Sequence, residues 1–287
     1  MNKFGGIWTF EKIRILEKYA KAYLEIMKDR PYWKLIYFDG FAGSGDIEVD
    51  GVMDDNIIHG AAKKIVSIQE PRLFDIYYFV ELNKKKADSL KVTLDQVRKS
   101  GVFVVSEDCN KKLIDLANFL SINGKTYKAL AFVDPCGMEV NWNSVARLKN
   151  MPVDLWILVP TGLGPNRMLT RNGEIPDSWF SKLEKFFGIS KELIMSTFYT
   201  KLETIDLFGE KRIEVLKNTK AIEKIKQLYT NKIKEVFKFV SNPYELENST
   251  HCIMYHFFLA SNNKTAVTIA NDIIRKTKNE KYGTNFN

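Results

Sequence analysis

Ile36-Tyr37-Phe38-Asp39-Gly40-Phe41-Ala42-Gly43-Ser44-Gly45 is the stretch whose reading decides the fold. A short apolar run, Leu35 to Phe38, leads straight into a glycine-rich turn with an acid, Asp39, at the junction. Such a run bounded by a turn reads as a buried strand. Glycines let the backbone turn sharply and approach a ligand closely, because no Cβ stands in the way. Open α/β sheets bind ligands at the carboxyl ends of their strands, so this turn predicts a site for a nucleotide-like ligand. The other reading of the same residues is a tight strand-to-helix turn that binds nothing.

Outward from this turn, strand and helix patterns alternate. A helix is expected over Trp8 to Asp29, with Thr9 as N-cap and Ile13, Leu16, Ala20, Tyr23, Leu24 and Met27 at helical spacing. Further strands are expected at Ile76–Val80, Val102–Val105, Leu130–Val133 and Val153–Val159. Helices between them fall at 61–68, 84–98, 111–120 and 143–148. Strands this apolar, separated by helices, predict a parallel sheet buried on both faces. Beyond Pro160 the rhythm becomes helical, and Lys and Arg outnumber Glu over residues 211–240. Ile222, Ile225, Tyr229, Ile233 and Val236 form one apolar stripe there, opposite a lysine face that is either simply solvated or tracks phosphates. Cys252–Leu259 reads as a strand, with Phe237–Val240 as its antiparallel partner. The expectation is a mostly parallel sheet of about seven strands, built from residues 1–161 and 236–287. A mainly helical insertion, 162–235, interrupts it.

The ends of the strands carry the chemistry. After the first come Asp39 and the glycine turn, after the second Glu81, after the third Asp108, and after the fourth Asp134-Pro135-Cys136-Gly137. A carboxylate at Glu81 can accept both hydroxyls of a ribose, and Asp108 can meet an adenine amino group. One such acid reads equally as a surface carboxylate or a helix cap; four at successive strand ends read as a nucleoside site. Glu81 lies well beyond the ~20 residues expected for a dinucleotide fingerprint. The turn also lacks a third glycine and the Gly-Lys-Ser/Thr of a phosphate loop, which disfavours NAD and ATP.

The string Asp39-x-Phe41-x-Gly43-Ser44-Gly45 after a strand resembles the S-adenosylmethionine (SAM) loop of class I methyltransferases, particularly those that methylate exocyclic amino groups of bases. That resemblance implies SAM held by Asp39, Phe41, Gly43, Ser44, Gly45, Glu81 and Asp108. It implies an acceptor amino group oriented by Asp134 and Pro135. Those enzymes end their fourth strand in Asp/Asn-Pro-Pro-aromatic; here Cys136-Gly137 replaces the second proline and the aromatic. Trp142 is close enough in sequence to substitute, or else belongs to the core. Cys136 also matches the Pro-Cys of enzymes that methylate C5 of cytosine through a thiolate. No basic residue adjoins it to stabilise that thiolate, and a packed cysteine is the alternative. Arg167 and Arg171, after the fifth strand, are candidates to meet a substrate phosphate or are surface arginines.

Taken in order, Asp39–Gly45, Phe79-Val80-Glu81, Asp108-Cys109-Asn110 and Phe132–Gly137 are similar to the three-Cys-motif partner (TcmP) family of bacteria, phages and mobile elements. Trp8, Lys12, Leu16 and Tyr19, Asp154-Leu155 to Pro160, and Tyr255-His256-Phe257 to Ser261 extend the likeness over nearly the whole chain. The family's fourth-strand motif is Asp-Pro-Phe-Gly, so Cys136 stands where it has an aromatic. The likeness implies a partner protein carrying the three-cysteine motif.

Composition bounds the function. The net charge of +8 favours a polyanionic partner, RNA or DNA. Three separated cysteines and three scattered histidines predict neither disulfides nor a metal site. His251 and His256 are expected to be buried or structural. No apolar run is long enough to span a bilayer and no signal-peptide core is present, so the expected location is cytoplasmic. The resulting expectation is a SAM-dependent methyltransferase acting on a nucleic-acid base, most simply an adenine amino group. The alternative is a non-catalytic nucleic-acid-binding or partner-scaffolding module on the same fold, and a third is a SAM enzyme acting on a protein or small molecule.

Overall fold

Leu35 and Tyr37 face one hydrophobic layer, and Ile36 and Phe38 face the other. The same alternation runs through the strands on either side. Leu130, Phe132, Trp156 and Leu158 join the first layer, while Ala131, Val133, Leu155 and Ile157 join the second. A strand with period-two side chains and no polar face must be covered on both sides.

The computed structural model describes residues 7–44, 60–205 and 211–283. The first six residues, Gly45 and His59 lie outside them. In chain order the elements are α1 (Ile7–Lys28), β1 (Lys34–Asp39), α2 (Ala61–Val66), β2 (Ile76–Val80), α3 (Lys84–Val97), β3 (Val102–Val105) and α4 (Cys109–Asn123). β4 (Tyr127–Val133), α5 (Trp142–Ala146), β5 (Val153–Val159), α6 (Gly164–Met168), α7 (Asp177–Phe187) and α8 (Lys191–Phe198) follow. The chain ends with β6 (Tyr199–Ile205), β7 (Lys211–Lys217), α9 (Ala221–Val236), β8 (Phe239–Val240), β9 (Tyr244–Glu247), β10 (Ile253–Ser261) and α10 (Lys264–Tyr282).

The main sheet has the order β3-β2-β1-β4-β5-β10-β8, with β9 also paired to β10. β1 to β5 are parallel and β10 runs antiparallel to β5. This is the Rossmann-like sheet of class I methyltransferases, with eight strands where about seven are expected. The expected partner of β10 is present as β8; the addition is β9, four residues whose alternating burial places Tyr244 and Leu246 in the core.

α1, α2, α3 and α10 cover the first layer. α4, α5 and the helices of 162–235 cover the second. Phe180, Leu183, Phe186 and Phe187 of α7 and Tyr229 of α9 share one core with Leu155 and Ile157 of the sheet. The ring of Trp142 meets Tyr229 edge-on at 5.8 Å. Trp142 is therefore a core residue and does not stand in for the missing aromatic. Segment 162–235 also contains a two-stranded antiparallel hairpin, β6–β7, which the sequence reading does not pick out. Its strands mix charged and apolar residues, and Leu202, Ile213 and Leu216 are exposed, so burial does not impose the alternation that normally marks a strand. The apolar stripe of the basic segment is real from Ile225 onward, on α9, with Ile222 at its margin.

The turn after β5 is held to β10 by Gly162, whose N–H donates to the Met254 carbonyl at 3.0 Å. A Cβ at Gly162 would lie 1.8 Å from the Ile253 carbonyl oxygen. Gly162→Ala is expected to destabilise the protein by about 3 kcal/mol, because backbone must move to admit the methyl. Urea unfolding would show a lower midpoint at an unchanged slope.

Candidate functional site

Parallel pairing fixes where the acids lie. Asp39 is in register with Phe79 on β2 and Phe132 on β4, and Val80 is in register with Val105 on β3. The residues that follow these strands, Glu81, Asp108 and Asp134, therefore emerge with Asp39 at one edge of the sheet.

The glycine turn is sewn to both neighbouring strands. Gly40 N–H donates to the Phe132 carbonyl at 2.9 Å, and Ala42 N–H to the Val80 carbonyl at 3.0 Å. A Cβ at Gly40 would sit 2.6 Å from Cys109 Sγ, so only glycine lets the turn lie against the start of α4. Phe41 is half-buried against the second layer. Gly43 has φ +65, and among the described residues, its chain neighbours aside, no atom comes within 4 Å of where its Cβ would be. Its N–H donates to Glu81 Oε2 at 3.0 Å, and Asn83 N–H donates to Oε1 at 2.8 Å. Glu81 thus ties the turn to the start of α3, and each oxygen keeps a lone pair for a hydroxyl. Ser44 is half-buried beside it, and Gly45 lies outside the described residues.

Asp39 works inside this turn. It is 1% exposed, and its Oδ1 accepts the Phe41 N–H at 3.1 Å. Burial pushes its carboxyl up to about 7; the Phe41 hydrogen bond opposes that rise and the nearby Asp134 adds to it. Asp108 is exposed and caps α4, its Oδ1 accepting the Lys111 N–H at 3.1 Å.

Asp134 is the most unusual group at this edge. Lys12 Nζ, from α1, donates to its Oδ2 at 2.5 Å. Its Oδ1 is buried and has no hydrogen-bond partner among the described residues. A buried acceptor without a donor is costly, and such atoms collect where a ligand completes them. Pro135 is buried next to it, and Tyr255 of β10 donates its hydroxyl to the Cys136 carbonyl at 2.9 Å, fixing the turn after β4. Cys136 is exposed at the rim, but partial desolvation, with Asp134 and Glu139 close by, pushes its thiol up. This is the reverse of what a nucleophilic thiolate needs.

Arg167 is exposed on α6, and Arg171 lines a groove with Asn166, Lys220 and Cys252. No strand-end acid lines that groove. The two C-terminal histidines part company: His256 is buried against the Thr161 hydroxyl at 2.7 Å and burial lowers it to about 4, whereas His251 is exposed beside Glu247. No cluster of three or more metal-ligating side chains occurs among the described residues, and no helix there is long and apolar enough to cross a membrane.

Sequence reasoning about the site overlooked Lys12, Tyr255 and Tyr37, whose hydroxyl donates to Asp39 Oδ2 at 3.5 Å. Lys12 left a signal: it falls on the same helical stripe as Leu16, Tyr19 and Tyr23, where a lysine is out of place unless it has a buried partner. Tyr37 and Tyr255 read as ordinary strand residues.

The strand order, the antiparallel β10 and the glycine turn define a methyltransferase-like fold. No family model matches the chain, and no curated protein does. Among solved structures, it is similar to a Legionella pneumophila protein of family DUF519 (14% identity, 91% of this chain and 99% of that one, TM-score 0.42). It is also similar to Trm1 from Pyrococcus horikoshii, solved with S-adenosyl-L-methionine (9% identity, 92% and 71%, TM-score 0.38). A third is an S-adenosylmethionine-dependent methyltransferase from Clostridium acetobutylicum (8% identity, 86% and 92%, TM-score 0.37). The fold assignment rests on the topology and register above.

Asp39 gives this site a signature in stability. A carboxyl raised on folding binds its proton more tightly in the folded state, so its contribution is complete below the ordinary carboxylate value and is lost as pH rises toward about 7. Asp39→Asn keeps an acceptor for the Phe41 N–H and cannot ionise. It is expected to match wild type near pH 4 and to exceed it above pH 7 by up to about 4 kcal/mol, read from urea unfolding across pH.

Proposed function

We propose that this chain is a SAM-dependent methyltransferase acting on a nucleic-acid base, with the exocyclic amino group of adenine as acceptor. The observation that carries this reading is Asp134 Oδ1, a buried carboxylate oxygen that meets no donor among the described residues, at the same edge as the glycine turn and Glu81. An amino group supplies such a donor; a carbonyl or an anion does not.

The residues present suit SAM. The open side of Gly43 admits close approach of a ligand to the backbone, with Ser44 beside it. Glu81 has lone pairs to accept ribose hydroxyls, and Asp108, the cap of α4, would accept from an adenine amino group. Asp39 acts from behind the turn, holding its shape and adding negative potential on the side where an ammonium group would lie. SAM, when bound, supplies an electrophilic methyl group. Asp134 then accepts one N–H of the acceptor and sets the direction of the nitrogen lone pair, while the buried Pro135 limits where the base plane can lie. Displacement of this kind depends chiefly on positioning.

A basic chain supports RNA or DNA as substrate. The lysines of α9 are partly engaged: Lys224 donates to the Thr197 carbonyl and Lys226 pairs with Glu223, leaving Lys234 exposed. The TcmP likeness adds a three-Cys-motif protein as a proposed partner. A second reading, a non-catalytic module that binds nucleic acid or scaffolds this partner, is favoured by Cys136 in place of a stacking aromatic.

Calorimetric titration with SAM tests the cofactor directly. Wild type is expected to bind in the micromolar range, at about −8 kcal/mol, and Glu81→Ala to lose at least about tenfold in affinity. With labelled SAM and total RNA or DNA, Asp134→Ala should still bind SAM while methyl transfer falls by about a hundredfold or more. A folded wild type that binds RNA or DNA but not SAM would decide for the non-catalytic reading.

A further inference from the structure

Lys12 is a buried cation, 7% exposed, on a helix that docks without it. Ile15, Leu16, Tyr19 and Leu24 already anchor α1 on the sheet. Removing an ammonium group from water is unfavourable unless a close counter-charge compensates, and a hydrophobic residue of similar size serves docking as well or better. Among the described residues its counter-charge is Asp134, 122 residues away in sequence. Among the described residues only one of the two Asp134 oxygens is engaged; the other is buried and meets no donor. The pairing is therefore asymmetric at the one carboxylate to which the methyltransferase reading gives the acceptor.

We propose that Lys12 is a positioning residue for the acceptor: by clamping Oδ2 of Asp134 it fixes the rotation of the carboxylate and leaves Oδ1 as the single acceptor for one N–H of the incoming amino group. The inference rests on the methyltransferase reading for the identity of the acceptor. The clamp itself does not depend on it. Without Lys12, the carboxylate is free to rotate and loses its counter-charge beside a second buried acid. Asp134 is faced by Lys12 from α1, by Asp39 and Tyr37 from β1, by Cys136 from the turn after β4, and by Tyr255 from β10, with Glu139 close to Cys136 and Tyr255. Lys86 of α3 also stands near the Cys136 thiol. Lys12 is the cation bonded to Asp134.

Two readouts test this on the full chain. In the first, SAM affinity and labelled-methyl transfer to total RNA and DNA are compared for wild type, Lys12→Met and Lys12→Arg. Lys12→Met is expected to keep SAM affinity within about twofold while transfer falls about a hundredfold, and Lys12→Arg to recover most of it. Undiminished transfer by Lys12→Met overturns the proposal. The second needs no SAM: thermal unfolding of wild type, Lys12→Met, Asp134→Asn and the double variant from pH 5 to 9. An unpaired buried carboxylate holds a proton more tightly when folded, so Lys12→Met should lose stability relative to wild type progressively as pH rises. Adding Asp134→Asn should remove that extra slope. A loss that is the same at every pH and unchanged by Asp134→Asn makes Lys12 a tether for α1 and overturns the proposal. If wild type neither binds SAM nor transfers methyl, the methyltransferase reading fails, and the unfolding series still decides whether Lys12 acts through Asp134.

Discussion

Burial of both faces of the parallel sheet is the constraint from which the site follows. With Leu35, Tyr37, Phe132 and Trp156 in one layer and Ile36, Phe38, Ala131 and Leu155 in the other, the middles of β1, β4 and β5 are hydrophobic on both faces. The acids Asp39, Glu81, Asp108 and Asp134 fall at or just beyond the carboxyl ends of the parallel strands, and parallel register brings equivalent ends together. A one-residue slip of β4 against β1 would exchange its layers and withdraw Asp134 from the edge.

At that edge the turn is a network of backbone donors answered by carboxylates. Asp39 holds Phe41, Glu81 holds Gly43 and Asn83, and Lys12 holds Asp134. Burial is the main reason Asp39 rises toward neutrality, and the like charge of Asp134 adds to it. Lys12 offsets part of that repulsion. Such an arrangement holds two poorly solvated carboxyls side by side at the expense of folding stability.

The helices of 162–235 are continuous with this core. Phe186, Phe187 and Tyr229 complete the second hydrophobic layer beneath the turn after β4, and Gly188 lies so close to Trp142 that a Cβ there would overlap its ring. The segment is thus a cover for half of the sheet. Its hairpin, β6–β7, packs Tyr199 and Val215 against this core and exposes Leu202, Ile213 and Leu216.

How far the chain could be read in advance depended on where the physical signal is local. Five parallel strands, the pairing of Phe239–Val240 with β10 and the four acids at strand ends were legible, because apolar runs and glycine turns mark them within ten residues. β9 and the β6–β7 hairpin were not, since short or exposed strands carry no strong periodicity. The sequence by itself determined the sheet, the glycine turn and which acids stand at its edge. Only the tertiary structure decided what those acids do: it buried Asp39 behind the turn, left Asp108 as an exposed cap, and brought Lys12 across 122 residues to one oxygen of Asp134. Contacts between distant segments are set by how layers pack, and no local pattern records them.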